Sequence, residues 1–287
     1  MTDSLLRAIS TDGCYRLAAA RTTETVQELI KRHRPDPAAA QAIARAVTAT
    51  ALLGTAEKDF HRVAVQWNGR GPFQILIADV RPGGYLRSYV GEPSSGAESI
   101  KAGVGSGILS VTRQDPEGRF TQGSLPITSG EVDEDVEHYL RHSEQIPSRL
   151  RTFLELDAQG LPVACSGVLI QTLPGGAAEA LLGNGGSLSP QTFDRSIVAG
   201  QPLEKILQEA VVGLSIELLA EESLSFRCQC SLDRVERGVA MLGPDELLDM
   251  IAKEEAAEVR CDFCSEEYRV DIAGLCRLYD ELTQGSD

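Results

Sequence analysis

Four cysteines near the C-terminal end of the chain have the type and spacing of residues that do chemistry. Cys228 and Cys230 are separated by one residue, and Cys261 and Cys264 by two; residues 231–260 lie between the pairs. Two close pairs joined by a segment long enough to fold back can present four thiolates to one tetrahedral zinc ion. The spacing therefore predicts a metal site made of these four side chains.

The first pair is tighter than the C-x2-C pairs that zinc ribbons normally use. A C-x-C pair can also close into a small, strained disulfide. Zinc keeps its sulfur ligands as thiolates, and the thiolate is the form of cysteine that reacts with oxidants. The combination of zinc-site spacing with a redox-prone pair indicates a metal site that can also respond to oxidants.

The composition of the chain limits its domains and its partners. A length of 287 residues predicts a main domain with a smaller appendage. The formal net charge is −15, and residues 221–287 hold 7 Lys/Arg against 17 Asp/Glu. Because an acidic chain repels phosphate, nucleic acid and anionic membrane surfaces are not expected partners.

The N-terminal sequence and the thiols predict a cytoplasmic protein. Residues 1–10 lack an apolar core and contain Asp3, unlike a secretory signal. No run approaches the roughly 18 apolar residues of a membrane span. Since cytosolic thiols are kept reduced, paired cysteines in a cytosolic protein are more often metal ligands or redox sensors than structural disulfides.

The pattern over residues 1–175 predicts an α+β domain of helices and antiparallel sheet. Apolar residues first follow a helical period, and later runs alternate between Gly-rich turns. The predicted elements are helices over 22–34, 38–53 and 132–143, and strands over 61–67, 73–80, 85–90, 107–113, 120–126 and 162–173.

A helical linker is predicted to follow this domain. Small and polar residues over 183–190 are typical of a flexible joint. Beyond it, an amphipathic stretch carries apolar residues at helical spacing, so we expect one face of it to dock on the main domain. The large apolar residues of this stretch are Leu203, Ile206, Leu207, Val211 and Leu214.

Two short helices are predicted between the cysteine pairs. They cover 232–241 and 245–253 and are broken at Gly243-Pro244, where proline suits the first helical turn. Such a hairpin would return the chain so that the two pairs meet. The module has few large apolar residues, whereas a structural zinc contributes about 10–16 kcal/mol to folding. We therefore expect it to melt when zinc is removed.

The chain resembles the heat shock protein 33 family, also called the 33-kDa chaperonin, which comprises redox-regulated holdase chaperones. The resemblance is closest around the cysteines, over 226–231 and over 261–264 with Tyr268 behind it, and it extends over nearly the whole chain. Supporting matches lie at 51–55, 77–79, 89–91, 143–150 and 167–171.

The resemblance implies a stress-response switch. The reduced protein would hold one tetrahedral Zn²⁺ on the four cysteines and be nearly inactive. Peroxide with heat, or hypochlorite, would release zinc and form the disulfides Cys228–Cys230 and Cys261–Cys264. The zinc module and linker would then unfold, and the protein would dimerise and bind unfolding client proteins without ATP.

The resemblance also implies three functional regions. Residues 1–175 would bind clients and dimerise, 176–225 would be the redox-sensitive linker, and 226–287 the zinc-binding switch. Once released, the apolar residues of the amphipathic stretch and the surface beneath them would form an exposed patch suited to unfolded chains. The acidic charge helps to keep such a state in solution.

Two other function classes remain open. A thiol–disulfide oxidoreductase would use Cys261 and Cys264, but the pair has no thioredoxin-like βαβ context. A zinc-stabilised adaptor without redox function would keep its metal through peroxide treatment. The sequence lacks a Walker-type Gly-Lys-Ser/Thr and a nucleophile–base set, so neither ATP hydrolysis nor another enzymatic activity is expected.

Three further cysteines lie outside the motif. Cys14 and Cys165 are expected to be buried small apolar residues. Cys276, beside Leu275 and Leu278, is expected at an ordinary helical position near the zinc module.

Overall fold

The fold is given by a computed structural model whose contacts separate the chain into two compact units. The first unit is residues 1–227 and the second is residues 228–287. The described residues are 2–54, 61–178, 201–211 and 214–284. The predicted α+β class is confirmed: helices and antiparallel sheets form the first unit, and a small C-terminal unit carries the four cysteines.

A five-stranded antiparallel sheet forms one layer of the first unit. Its strands are β1 (Ser4–Ser10), β2 (Tyr15–Arg21), β8 (Ser148–Leu156), β9 (Pro162–Thr172) and β10 (Ile216–Ser223). Their order is β10-β1-β2-β9-β8, so the two ends of the unit's sequence meet where β1 pairs with β10.

A six-stranded sheet forms a second layer. Its strands are β3 (Arg62–Gly69), β4 (Ile75–Arg81), β5 (Tyr85–Val90), β6 (Gly107–Gln114), β7 (Phe120–Pro126) and β11 (Ser225–Phe226). Their order is β11-β5-β4-β3-β6-β7, antiparallel except that β11 runs parallel to β5.

An alanine-rich helix lies at the centre of the first unit. The described helices of this unit are α1 (Thr23–His33), α2 (Pro37–Gly54), α3 (Ile100–Val104), α4 (Val132–His142) and α5 (Leu203–Ala210). Fifteen of the 18 residues of α2 are buried, and it packs against strands of both sheets. Its eight alanines favour the helix and let the strands approach closely, so α2 forms the core between the layers.

The last residues of the first unit are attached to both sheets. After β10 pairs with β1, the backbone N–H of Leu224 donates to the carbonyl of Asp3. The N–H groups of Ser225 and Arg227 then donate to carbonyls beside and within β5. The segment directly before Cys228 is therefore hydrogen-bonded into the first unit.

The structure differs from the sequence prediction mainly in the linker and in the five-stranded sheet. Strands β1, β2, β8 and β10 were not predicted. Within the predicted linker 176–225, α5 and β10 are an ordered helix and a strand of the first unit. The predicted flexible joint at 183–190 lies outside the described residues.

A fully buried carboxylate ties three strands of the second sheet together. Asp79 on β4 accepts hydrogen bonds from Arg62 on β3 (Nε–Oδ2 2.9 Å) and from Arg87 on β5 (Nη2–Oδ2 2.7 Å). Arg81 is a third partner, with Nε 3.9 Å from Oδ1. The carboxylate therefore neutralises part of a cluster of guanidinium groups.

Replacing Asp79 with asparagine should lower the free energy of unfolding by about 3–5 kcal/mol, because removing the buried charge leaves its partly buried arginine partners uncompensated. Urea unfolding of the variant measures the loss. Asp115→Asn is the matched control, since Asp115 pairs with the exposed Arg119 and should change stability little. An equal loss of unfolding free energy in the two variants would contradict a stabilising role for the buried Asp79 carboxylate.

Candidate metal centre

The second unit places its cysteine pairs on either side of a helical hairpin. Its elements are α6 (Leu232–Ala240), α7 (Pro244–Ala252), β12 (Ala257–Arg260), β13 (Glu267–Val270) and α8 (Ile272–Gln284). The Ser231 hydroxyl caps α6 by accepting from the backbone N–H of Arg234 at 3.3 Å. Helix α7 begins with Pro244 in its first turn, as predicted.

A tight turn orients the second cysteine pair. The backbone N–H of Cys261 donates to the carbonyl of Glu266 at 2.9 Å, and that of Ser265 donates to the carbonyl of Cys261 at 2.8 Å. Ser265 adopts a left-handed conformation (φ 58°), which reverses the chain after Cys264. Strands β12 and β13 pair on either side and hold the turn.

The four motif cysteines come together in space. Their sulfur atoms all lie within 4.8 Å of one another. The Sγ atoms of Cys228 and Cys261 are 3.7 Å apart, and those of Cys230 and Cys264 are 3.2 Å apart. A tetrahedral zinc with Zn–S bonds of about 2.3 Å needs sulfur separations of about 3.8 Å, so the arrangement has the dimensions of a four-thiolate metal site.

The protonation of these thiols depends on their surroundings. Burial raises the pKa values of Cys228 and Cys264. Burial also acts to raise the pKa of Cys230, but hydrogen bonds from Tyr268 and the neighbouring cysteines leave that pKa below its ordinary value. A soft divalent cation among the sulfurs favours their thiolate forms. The donor set therefore fits zinc.

A residue that sequence reasoning did not assign to the site contacts it directly. The hydroxyl of Tyr268 donates to the Sγ of Cys230 at 3.0 Å. This hydrogen bond raises the pKa of the Tyr268 phenol. The available sequence signal was the tyrosine that follows Cys264 by four residues, but one sequence did not show which sulfur it would reach.

The apolar core of the second unit is small. Several of its large apolar side chains are exposed instead, among them Met241 and Leu242 at the turn between α6 and α7, and Leu248 on α7. The buried apolar core residues of the unit are Val239, Leu247, Ala257, Val270, Leu275 and Leu278. A core of this size agrees with a module that relies on bound metal for much of its stability.

Four of the five predicted linker residues are buried in the first unit. Leu203, Ile206, Leu207 and Val211 pack against apolar side chains of β1, β2, β8 and β9. Leu214 differs from the prediction, since it is 38% exposed. Helix α5 ends at Ala210, so the helical period does not extend to Leu214.

The remaining cysteines lie outside the four-sulfur cluster. Cys165 is buried as predicted, and burial raises its pKa to about 12. Cys14 is only partly buried, contrary to the prediction, because it lies in the turn between β1 and β2. Cys276 is partly buried on α8, at a helical position as predicted. None of the seven cysteines, all in the described ranges, forms a disulfide.

Comparison with known proteins identifies the family. The family model described as "Hsp33 protein" matches residues 3–271. The chain belongs to the Hsp33 family. Two Hsp33 relatives, each named "33 kDa chaperonin", come from Desulforamulus reducens and Bacillus velezensis. The first is 33% identical to this chain, in an alignment that covers 99% of both chains. The second is 35% identical, in an alignment that covers 98% of this chain and 100% of the relative.

A solved Hsp33 structure has the same fold. The crystal structure of the 33 kDa chaperonin (Hsp33 homolog) of Thermotoga maritima aligns over 100% of both chains with a TM-score of 0.80 and 22% identity. Among the described residues, no helix combines the length and apolar character needed to cross a membrane.

Proposed function

We propose that this chain is a redox-regulated, ATP-independent holdase chaperone. It is inactive when reduced and zinc-bound, and oxidation of its cysteines activates it to bind unfolding proteins in the cytoplasm. The observation that carries the proposal is the cluster of four cysteine sulfurs within 4.8 Å in a chain of the Hsp33 family, whose relatives are named chaperonins.

In the reduced state, Cys228, Cys230, Cys261 and Cys264 hold one zinc ion. When bound, zinc supplies a tetrahedral cross-link between the two halves of the second unit and about 10–16 kcal/mol of folding free energy. The small apolar core around Leu247 and Leu275 offers little replacement for that contribution. The fold of the second unit therefore depends on the oxidation state of its sulfurs.

Oxidation removes the metal donors. Each cysteine pair loses two electrons to one molecule of hydrogen peroxide. The pairs are Cys228 with Cys230 and Cys261 with Cys264. In each pair two thiolates, one peroxide and two protons give one disulfide and two water molecules. A disulfide sulfur is a poor ligand compared with a thiolate, so the metal leaves and the second unit unfolds.

The client surface is provided by α5 and the sheet beneath it. The helix covers an apolar patch that includes Leu17 on β2 and Ile170 on β9. Release of α5 exposes both its own apolar face and this patch, and exposed apolar area of this kind binds unfolded chains. The oxidised chain forms a homodimer, and its acidic charge disfavours nucleic acid and membrane surfaces as partners.

The test is the aggregation of a chemically unfolded client protein, followed by light scattering. The client is diluted into the reduced, zinc-loaded chain or into chain treated with peroxide and heat. We expect suppression of aggregation only after oxidation, together with release of one zinc ion per chain. If neither form suppresses aggregation and zinc stays bound, the chain is a zinc-stabilised adaptor; catalytic disulfide exchange would instead indicate an oxidoreductase.

A further inference from the structure

We propose that Tyr268 is a positioning residue of the metal centre, whose hydrogen bond to Cys230 strengthens metal binding and slows oxidation. The inference rests on the four-cysteine site proposed above and adds a fifth side chain to it. Tyr268 does not ligate the metal; it acts through the sulfur of Cys230.

The hydrogen bond joins the two halves of the site. Cys230 belongs to the first pair and directly precedes the N-cap of α6. Tyr268 lies on β13, opposite Val259 of β12, so the sheet pairing fixes its backbone. The 3.0 Å contact therefore holds the first cysteine pair to the segment that carries the second pair, independently of the metal.

The position of Cys230 makes this contact important for binding. Its sulfur lies 3.2 Å from that of Cys264, the shorter of the two cross-pair distances given above. Two thiolates this close repel each other, and a hydroxyl donor spreads the negative charge of one of them. Outer-shell partners of metal ligands typically change metal affinity by about 10- to 100-fold.

The same contact affects reactivity. Cys230 is partly exposed, whereas Cys264 is buried, so an oxidant reaches Cys230 more readily. A hydroxyl that donates to a thiolate occupies one of its lone pairs, and a less electron-rich sulfur attacks peroxide more slowly. The 3.0 Å contact from Tyr268 therefore slows the oxidation of Cys230. Tyr268 therefore helps to set the oxidant level at which the site fails.

The test compares Tyr268→Phe with Tyr279→Phe in the full-length reduced chain. Tyr279 is a matched control because it lies in the same unit, packed on the apolar core. For Tyr268→Phe we expect zinc affinity, measured by competition with a chromogenic chelator, to fall about tenfold. Zinc release under peroxide should be faster than in Tyr279→Phe. In the cobalt-substituted variant, the sulfur-to-cobalt charge-transfer band should move to lower energy.

A stronger donor provides the opposite test without loss of the ring. Incorporating 3-fluorotyrosine at position 268 makes the hydroxyl more acidic, so zinc release should slow. The proposal would be overturned if Tyr268→Phe and Tyr279→Phe had the same zinc affinity and the same rate of zinc release under peroxide. If peroxide does not release zinc from the unsubstituted chain, the redox function fails, while the chelator measurement still decides the role of Tyr268.

Discussion

Replacing Cys264 with serine is expected to abolish zinc binding by the reduced chain and to unfold residues 228–287. Cys264 is the most buried of the four cysteines, and a serine hydroxyl does not replace a thiolate on zinc. The loss of about 10–16 kcal/mol of metal-linked folding free energy equals or exceeds the stability of most whole domains. Residues 1–227 should stay folded, since they form a separate compact unit with its own core.

Metal analysis and hydrogen exchange of the purified variant measure this outcome. Zinc should fall from one per chain to none, and backbone amides of α6, α7 and α8 should exchange at the rates of an unfolded chain. Cys276→Ser is the control, because Cys276 lies in the same unit but outside the four-sulfur cluster. A Cys264→Ser variant that retains zinc and protected amides would contradict the four-thiolate site.

The second large effect is expected from Ile206→Ser, which should make the reduced chain active as a chaperone. Ile206 is fully buried on the inner face of α5, and its loss removes apolar contacts worth about 2–5 kcal/mol while burying a hydroxyl. Helix α5 spans only eight residues, too few to be stable alone in water. The variant should therefore release α5 while zinc remains bound to the cysteines.

Light scattering of an aggregating client, with zinc content recorded on the same sample, tests this expectation. Gln208→Ser is the matched control, because Gln208 lies on the solvent side of the same helix and should leave the chain inactive. If hydrogen exchange shows α5 released in Ile206→Ser but aggregation proceeds unchanged, the client surface is not the one that α5 covers.

Sequence patterns predicted the helices and strands whose local hydrophobic period matches the environment that they occupy in the fold. Helices α1, α2 and α4 and strands β5 and β7 lie within two residues of the predicted bounds, because each has a clear period between strong turn or capping signals. The four cysteines were assignable because their spacing by itself restricts the geometry of a metal site.

The missed strands show where local patterns fail. Strand β2 contains three consecutive alanines, and β10 contains three glutamates, residues that do not favour strands. Each is a strand because it pairs with β1. For β10, this pairing joins distant parts of the sequence. The contact of Tyr268 with Cys230 is equally non-local, so one sequence without relatives does not reveal it.

The attachment of residues 216–227 to both sheets would give the proposed redox switch two inputs. Helix α5 precedes this attachment in the chain, whereas all four cysteines follow it. Unfolding that begins at the sulfurs therefore meets the hydrogen bonds of β11 and β10 before it reaches α5. We expect unfolding caused by peroxide alone to stop at Arg227, and a second stress, such as heat, to detach these strands and release α5.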